Sequence, residues 1–338
     1  MAKQLKIAVI GLGYWGPNYV RIFNELPESA VLYGCDLNNQ NLKKIKKQYP
    51  KMRLTKDYKK IGDEIDAAVV VTPLNTHYEI AKYFLQKGKH VLVEKPFTDE
   101  VIKAEELNEI ARQKKLVLMV GHIYRYNPWI TALEKIIKKG ELGKIFYIES
   151  ERVALGPIRK HESALWDLAD HDISIALFLL GTFPNNVDVE GECFIQKDQE
   201  DFINLSLKFP NHALYCSYDS WYAPEKQRKL TVVGSKGMAV FDEMDKGYKL
   251  KIYRRKIEKK LLDKTPEYED HQKIVKSGDV YVPEIKVSEP LRNEAKHFLQ
   301  CIIKKSKPIT DGNEGLRVVK VLKAAEQLLM NQKCREIR

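Results

Sequence analysis

Two stretches of the chain carry side chains suited to moving a hydride and a proton. The run HVLVEKPF ends on Glu94, Lys95 and Pro96, and LWDLADHDISI sets Asp167 four positions before His171. An ammonium at the end of a strand can hydrogen-bond a substrate hydroxyl and ease alkoxide character as a hydride leaves. A spacing of four on a helix puts a carboxylate and an imidazole on one face, where the carboxylate orients the ring and stabilises it once it takes a proton. Together these groups suit oxidation of an alcohol, with either His171 or Lys95 as the base. Taken singly, Lys95 also fits a surface lysine before a turn proline, and the Asp-His pair fits a helix-end salt-bridge set. Asp170 and Asp172 flank His171 and are assigned no chemistry. No second histidine stands at ligand spacing, so no metal is expected.

A hydride needs an acceptor, and the segment GLGYWG (11–16) is placed to hold one. It follows the apolar run LKIAVI directly and leads into PNYVRIFNEL. Gly11 allows the tight turn, Gly13 the close approach of a pyrophosphate, and Gly16 the close packing of helix on strand, with Pro17 tolerated in the first helical turn. The helix start then presents free N–H groups to phosphate. Asp36 ends the next expected strand, where a carboxylate accepts from the adenosine ribose hydroxyls. The residues after it, Leu37, Asn38 and Asn39, include no arginine for a 2′-phosphate, so NAD is expected in preference to NADP.

These residues must be positioned by regular elements. At 338 residues the chain exceeds the roughly 250–300 at which one core stops growing, so two domains are expected, at 1–121 and 122–338. The first alternates β-rich runs (LKIAVIGLG, AVLYGCD, AAVVVTP, HVLVEKP, LVLMVGH) with helical patterns such as HYEIAKYFLQKG and EVIKAEELNEIARQKK. That order predicts an α/β fold: a Rossmann-type doubly wound parallel sheet covered by helices. The second begins with the helix NPWITALEKIIKKGELG, the strand KIFYIESERV and the helix ALWDLADHDISIALFLLG. Strand patterns then follow one another. DFINLSLKFPNHALYCSYDSW alternates and turns at Pro210–Asn211, and RKLTVVGSKGMAVFD has the same form. An α+β domain with a mainly antiparallel, open-faced sheet follows. Residues 255–287 are charged and weakly patterned. SEPLRNEAKHFLQCIIKK and GNEGLRVVKVLKAAEQLLMNQ are amphipathic helices able to pack back on the first domain.

Composition narrows the partners. The formal charge of +11 is spread over separated clusters, Lys43–Lys47, Lys114–Lys115, Lys138–Lys139 and Tyr253–Lys260, none within a nucleic-acid-binding motif. It reads as a solvated basic surface, suited to a polyanionic small molecule and not to nucleic acid. The five cysteines (35, 193, 216, 301 and 334) are scattered and never spaced as CxxC, as expected of reduced thiols in the cytoplasm. The apolar runs are far shorter than the ~20 residues that span a bilayer, so no membrane partner is expected.

Taken in order, GLGYWGPN, TPLNTHYEIAKYFLQKGKHVLVEKP, GHIYRYNP and the Asp167, His171 pair resemble the glucose-fructose oxidoreductase, inositol dehydrogenase and MocA family of NAD(P)-dependent dehydrogenases. The likeness continues through EPLRNEAKHFLQCI and PITDGNEGLRVVKVL. It implies that Lys95, Asp167 and His171 face the substrate beside the nicotinamide. Ala169 stands where relatives commonly carry glycine. The resemblance also implies a cofactor lining of Gly11, Gly13, Tyr14, Trp15, Gly16 and Asp36, then Thr72, Pro73, Asn75 and His77, then Glu94 and Arg125. Tyr124 and Asn127 would lie toward the substrate.

Within the family, GYWGPN with GPIRKHESALWDLADHDIS is most similar to nucleotide-sugar 3-dehydrogenases. These act on UDP-N-acetylglucosamine or UDP-N-acetylglucosaminuronate and make a 3-keto sugar for a pyridoxal-phosphate aminotransferase. Arg152, Arg159 and Lys160 read either as forks for a diphosphate or carboxylate or as an exposed basic loop. A dehydrogenase of a free sugar or inositol is the alternative within the class, and a non-catalytic NAD- or sugar-sensing regulator the alternative outside it. The resemblance implies a homodimer or homotetramer.

Overall fold

The computed structural model describes residues 4–159, 162–254, 256–257, 275–276 and 278–333. Lys160, Cys334 and half of the basic stretch 253–260 lie outside the described residues. The first apolar runs form the strands β1 (Leu5–Ile10), β2 (Ser29–Cys35), β3 (Arg53–Thr55), β4 (Ala67–Val70), β5 (His90–Glu94) and β6 (Leu118–Gly121). Between them lie the helices α1 (Gly16–Glu25), α2 (Asn39–Gln48), α3 (Leu74–Gln86) and α4 (Val101–Gln113). The chain continues through α5 (Pro128–Lys138), β7 (Ile145–Leu155), α6 (Asp170–Leu180), β8 (Asn186–Glu192), β9 (Phe202–Lys208), β10 (Leu214–Ser220), β11 (Tyr222–Gly234), β12 (Met238–Asp242) and β13 (Leu250–Tyr253). Short strands β14 (Lys256–Ile257), β15 (Val275–Lys276) and β16 (Val280–Tyr281) precede the closing helices α7 (Pro290–Lys304) and α8 (Gly312–Lys333).

The chain divides into two compact units, residues 1–126 with 288–323, and residues 127–287 with 324–338. The first holds a six-stranded sheet in the order β3-β2-β1-β4-β5-β6, every pair parallel. Strand alternation sorts its core into two layers. Ile7, Val9, Val69 and Leu92 pack on one face with α1 and α7, while Ala8, Ile10, Val70 and Val93 pack on the other with α3 and α4. In this division the opening segment of the first unit runs to Tyr126, and the 3₁₀ turn Ile123–Tyr126 packs against α7. Leu291, Ala295, Phe298 and Leu299 give α7 the apolar stripe that holds it to α1, where Phe23 meets Phe298 edge-on.

The second unit carries an eight-stranded sheet, β16-β13-β12-β11-β7-β10-β9-β8. It is antiparallel except where β10 runs parallel to β7. The hairpin expected around Pro210–Asn211 is β9–β10, with Lys208 opposite Leu214. Ile203, Leu205, Leu207 and Tyr215 point to the buried face, and Leu214, Cys216 and Tyr218 to the exposed one. Among the described residues no helix is long and apolar enough to cross a membrane. Among the described residues, Cys35, Cys193, Cys216 and Cys301 form no disulfide.

Candidate active site

In the first unit the strand order reverses between β1 and β4, and the loops beyond the strand ends there are where open α/β sheets bind ligands. Gly11 sits at φ +94°, and a Cβ on it would fall 2.4 Å from the Val71 carbonyl oxygen. One on Gly16 would fall 2.0 Å from the Gly11 carbonyl oxygen, so both positions exclude any side chain. Gly13 differs in that a Cβ there meets nothing within 4 Å. The glycine loop is therefore packed tightly behind and open in front at Gly13, as a pyrophosphate requires.

Asp36 follows β2 and turns back onto this loop. Its carboxylate accepts from the Leu12 N–H at 2.7 Å, the Asn38 N–H at 2.7 Å and the Asn41 amide at 3.1 Å. Those bonds fix its orientation and keep lone pairs for a ribose diol. Tyr14 is 89% exposed and stacks beside Trp15. Pro73 and Asn75, at the start of α3, are exposed, and the Thr72 hydroxyl is bonded by Thr76. His77 is different. It is buried, its ring nitrogens 2.8 Å from the Pro96 carbonyl and 2.7 Å from the Thr72 carbonyl. The ring thus ties the loop after β4 to the Glu-Lys-Pro loop.

Lys95 lies just beyond β5, and its peptide to Pro96 is cis. Glu94 accepts from the Lys95 N–H at 2.9 Å, the Tyr19 hydroxyl at 2.7 Å and the Trp15 indole. Gly121 leaves room for that carboxylate, since a Cβ there would sit 3.1 Å from it. His122 is buried beside these groups. Burial first, then the Arg125 and Lys95 charges, push its pKa down to about 3, so the ring is neutral. Arg125 is itself buried, donating to Glu314 at 3.2 Å and to the Ile309 carbonyl at 3.3 Å, and burial lowers its pKa. Tyr124 is buried in the same 3₁₀ turn.

In the second unit Asn127 caps α5, its side-chain oxygen accepting from the Trp129 N–H at 3.0 Å. Arg152 is one of the residues expected toward the substrate. It is 5% exposed and grips Asp172 with two bonds of 2.7 Å, because it lies on the buried face of β7 beneath α6. Asp219, opposite Arg152 in the β7–β10 register, is fully buried. Burial first and the Asp172 charge second hold its carboxyl well above the usual carboxylate range.

Asp167 stands within a π-helical turn, Leu165–Ala169, that runs into α6 at Asp170, so Asp167 and His171 flank a widened turn and not a regular α-helical one. Such turns occur frequently at functional sites. Its Oδ2 accepts from the Trp221 indole and from Arg159 Nε, both at 3.3 Å. The Arg159 side chain is 46% exposed, and His171 is half-buried at the start of α6.

Tyr19, His122, Trp221 and Glu294 escape a motif-based reading. For Glu294 the signal was present: it falls on the apolar stripe of α7, where a carboxylate is out of place.

Comparison with known proteins agrees with both halves. Residues 5–122 match a family model described as an oxidoreductase family with an NAD-binding Rossmann fold, and residues 130–240 match the GFO/IDH/MocA C-terminal domain. UDP-N-acetylglucosamine 3-dehydrogenase of Acidithiobacillus ferrooxidans is 27% identical over 253 residues, 75% of this chain and 78% of that protein. The NAD(+)-dependent scyllo-inositol 2-dehydrogenase of Bacillus subtilis is 27% identical over 239 residues, 68% of this chain and 69% of that protein. A solved structure of the Acidithiobacillus ferrooxidans enzyme superposes with a TM-score of 0.82 at 24% identity, covering 97% of this chain and 99% of the other, a likeness of fold.

Proposed function

We propose that this chain, which belongs to the Gfo/Idh/MocA family of NAD-binding oxidoreductases, oxidises the C3 hydroxyl of a nucleotide sugar of the UDP-N-acetylglucosamine kind. The observation that carries the reading is the UDP-N-acetylglucosamine 3-dehydrogenase matched over three quarters of the chain. The presence in sequence of Lys95, Asp167 and His171 supports it.

NAD, when bound, supplies the hydride acceptor. The residues fit it: Gly13 leaves an open approach that a pyrophosphate would use, α1 offers its free N–H groups, Asp36 would accept from the ribose diol, and Glu94 would help hold the cofactor. In this reading His171 takes the proton from the sugar hydroxyl, and Asp167 stabilises the imidazolium that results. Lys95 donates a hydrogen bond to the same oxygen and stabilises its growing negative charge. Arg159 is the exposed guanidinium available to a diphosphate or a uronate. The 3-keto product is a substrate for transamination, and the open face of the eight-stranded sheet, with Leu214 and Tyr218 partly exposed, supports a homodimer or homotetramer.

The test is a panel: NAD with UDP- and TDP-sugars, free sugars and inositol, read as NADH absorbance, with an aminotransferase and glutamate to draw off ketone. Turnover of UDP-N-acetylglucosamine is expected. The inositol dehydrogenase relative favours a second reading, a polyol dehydrogenase, which turnover of inositol alone would establish in place of the first.

A further inference from the structure

Tyr19, Glu94 and Glu294 form a chain of three oxygens in the first unit. The Tyr19 hydroxyl lies 2.7 Å from Glu94 Oε1 and 2.9 Å from Glu294 Oε2. Tyr19 and Glu294 are both fully buried. A phenol has one proton and can serve only one of these two contacts. With both carboxylates ionised, the remaining contact would press lone pair against lone pair in a buried site, with the desolvation cost of a second buried charge. The geometry therefore requires one more proton on the chain.

Its place follows from the donors around each carboxyl. Burial raises the Glu94 carboxyl too, but less than that of Glu294, because Glu94 receives the Tyr19 hydroxyl, the Lys95 N–H and the Trp15 indole, and Lys95 adds an attractive charge. Glu294 shares only the Tyr19 hydroxyl, at Oε2. Its Oε1 meets no protein donor, and burial followed by the Glu94 charge holds it well above the usual carboxylate range.

We propose that Glu294 on α7 is a protonated acid that donates to the Tyr19 hydroxyl, which in turn donates to Glu94, fixing the orientation and negative charge of the carboxylate beside Lys95. Glu294 is then a positioning residue acting through Tyr19. It rests on the proposed role of Glu94 in holding NAD only for its effect on cofactor affinity, and the location of the proton is tested independently.

Infrared difference spectra at about pH 8, where an ordinary glutamate is ionised, compare the wild-type protein with E294Q and E94Q in H₂O and D₂O. Wild type minus E294Q is expected to show the carbonyl stretch of a protonated carboxylic acid, shifted in D₂O, and wild type minus E94Q only ionised carboxylate bands. The reverse pattern, or no acid band in either difference, overturns the proposal.

NADH binding, followed by fluorescence without any sugar, supplies the second arm. Glutamine keeps an N–H to donate to Tyr19, so E294Q is expected to hold NADH within about twofold of wild type. E294L and Y19F are expected to weaken it about tenfold, the loss of a charge-assisted bond. Equal loss in E294Q and E294L, with both folded by circular dichroism, overturns the positioning role. An acid band on Glu294 with NADH binding unchanged in all three variants leaves the proton where it is proposed and refutes the role of Glu94 in holding the cofactor.

Discussion

Arg152 on β7 closes a two-bond fork on Asp172 of α6, both distances 2.7 Å, and Asp172 is the residue after His171. The pair is buried, with side-chain exposures of 6% and 4%, so it fixes the rotation of the helix that carries the proposed base. Arg152→Met leaves an unpaired buried carboxylate and is expected to cost about 3–5 kcal/mol. The double variant R152M/D172L is expected to cost less than either single change, since it removes both charges. Urea denaturation of the three variants measures the difference.

His171→Asn is expected to slow turnover about 10²–10⁴-fold if His171 is the base, with NADH binding little changed. Turnover is read with the best sugar of the panel, and binding by NADH fluorescence. A variant that turns over normally assigns proton removal to another group.

Asp36→Ala removes a carboxylate already oriented by Leu12 and Asn38. NAD affinity is expected to fall about 10–100-fold, the worth of charge-assisted bonds to a ribose diol. The preference over NADP is expected to narrow, because the same carboxylate repels a 2′-phosphate. Titrating both cofactors into wild type and variant measures the ratio.

His122 gives the fold an acid sensitivity. Its pKa falls from 6.5 to about 3 on folding, so between those values the unfolded chain binds a proton that the folded protein does not. Stability from this group is therefore present above about pH 6.5 and lost as pH falls toward about 3, at up to about 1.4 kcal/mol per pH unit. His122→Gln is expected to flatten the fall in urea midpoint between about pH 6.5 and pH 4.5.

The parallel sheet was legible because its strands are continuous apolar runs set between helical periods, and the glycine loop because Gly11 and Gly16 leave no space for side chains. What escaped was decided by distant parts of the chain. β3 is three residues long and is a strand only by pairing with β2. The widened turn at Leu165–Ala169 keeps the same residues that a regular helix would use. The Arg152 fork was hidden because its partner, twenty positions on, is visible only once β7 and α6 are packed. The Pro96 and Thr72 carbonyls that hold His77 were likewise hidden until the loops were placed.

The parallel pairing of β7 with β10 bears on how the chain is born. β7 ends at Leu155, and its two sheet neighbours, β10 and β11, begin at Leu214 and Tyr222. During synthesis at about 5–20 residues per second, the central strand of this sheet emerges roughly 3–12 s before either neighbour exists. Within that interval α6 is made, so the Arg152 fork on Asp172 can close before either neighbouring strand exists. The ion pair that holds α6 to β7 in the finished protein is thus among the contacts this strand can make before its sheet neighbours are synthesised.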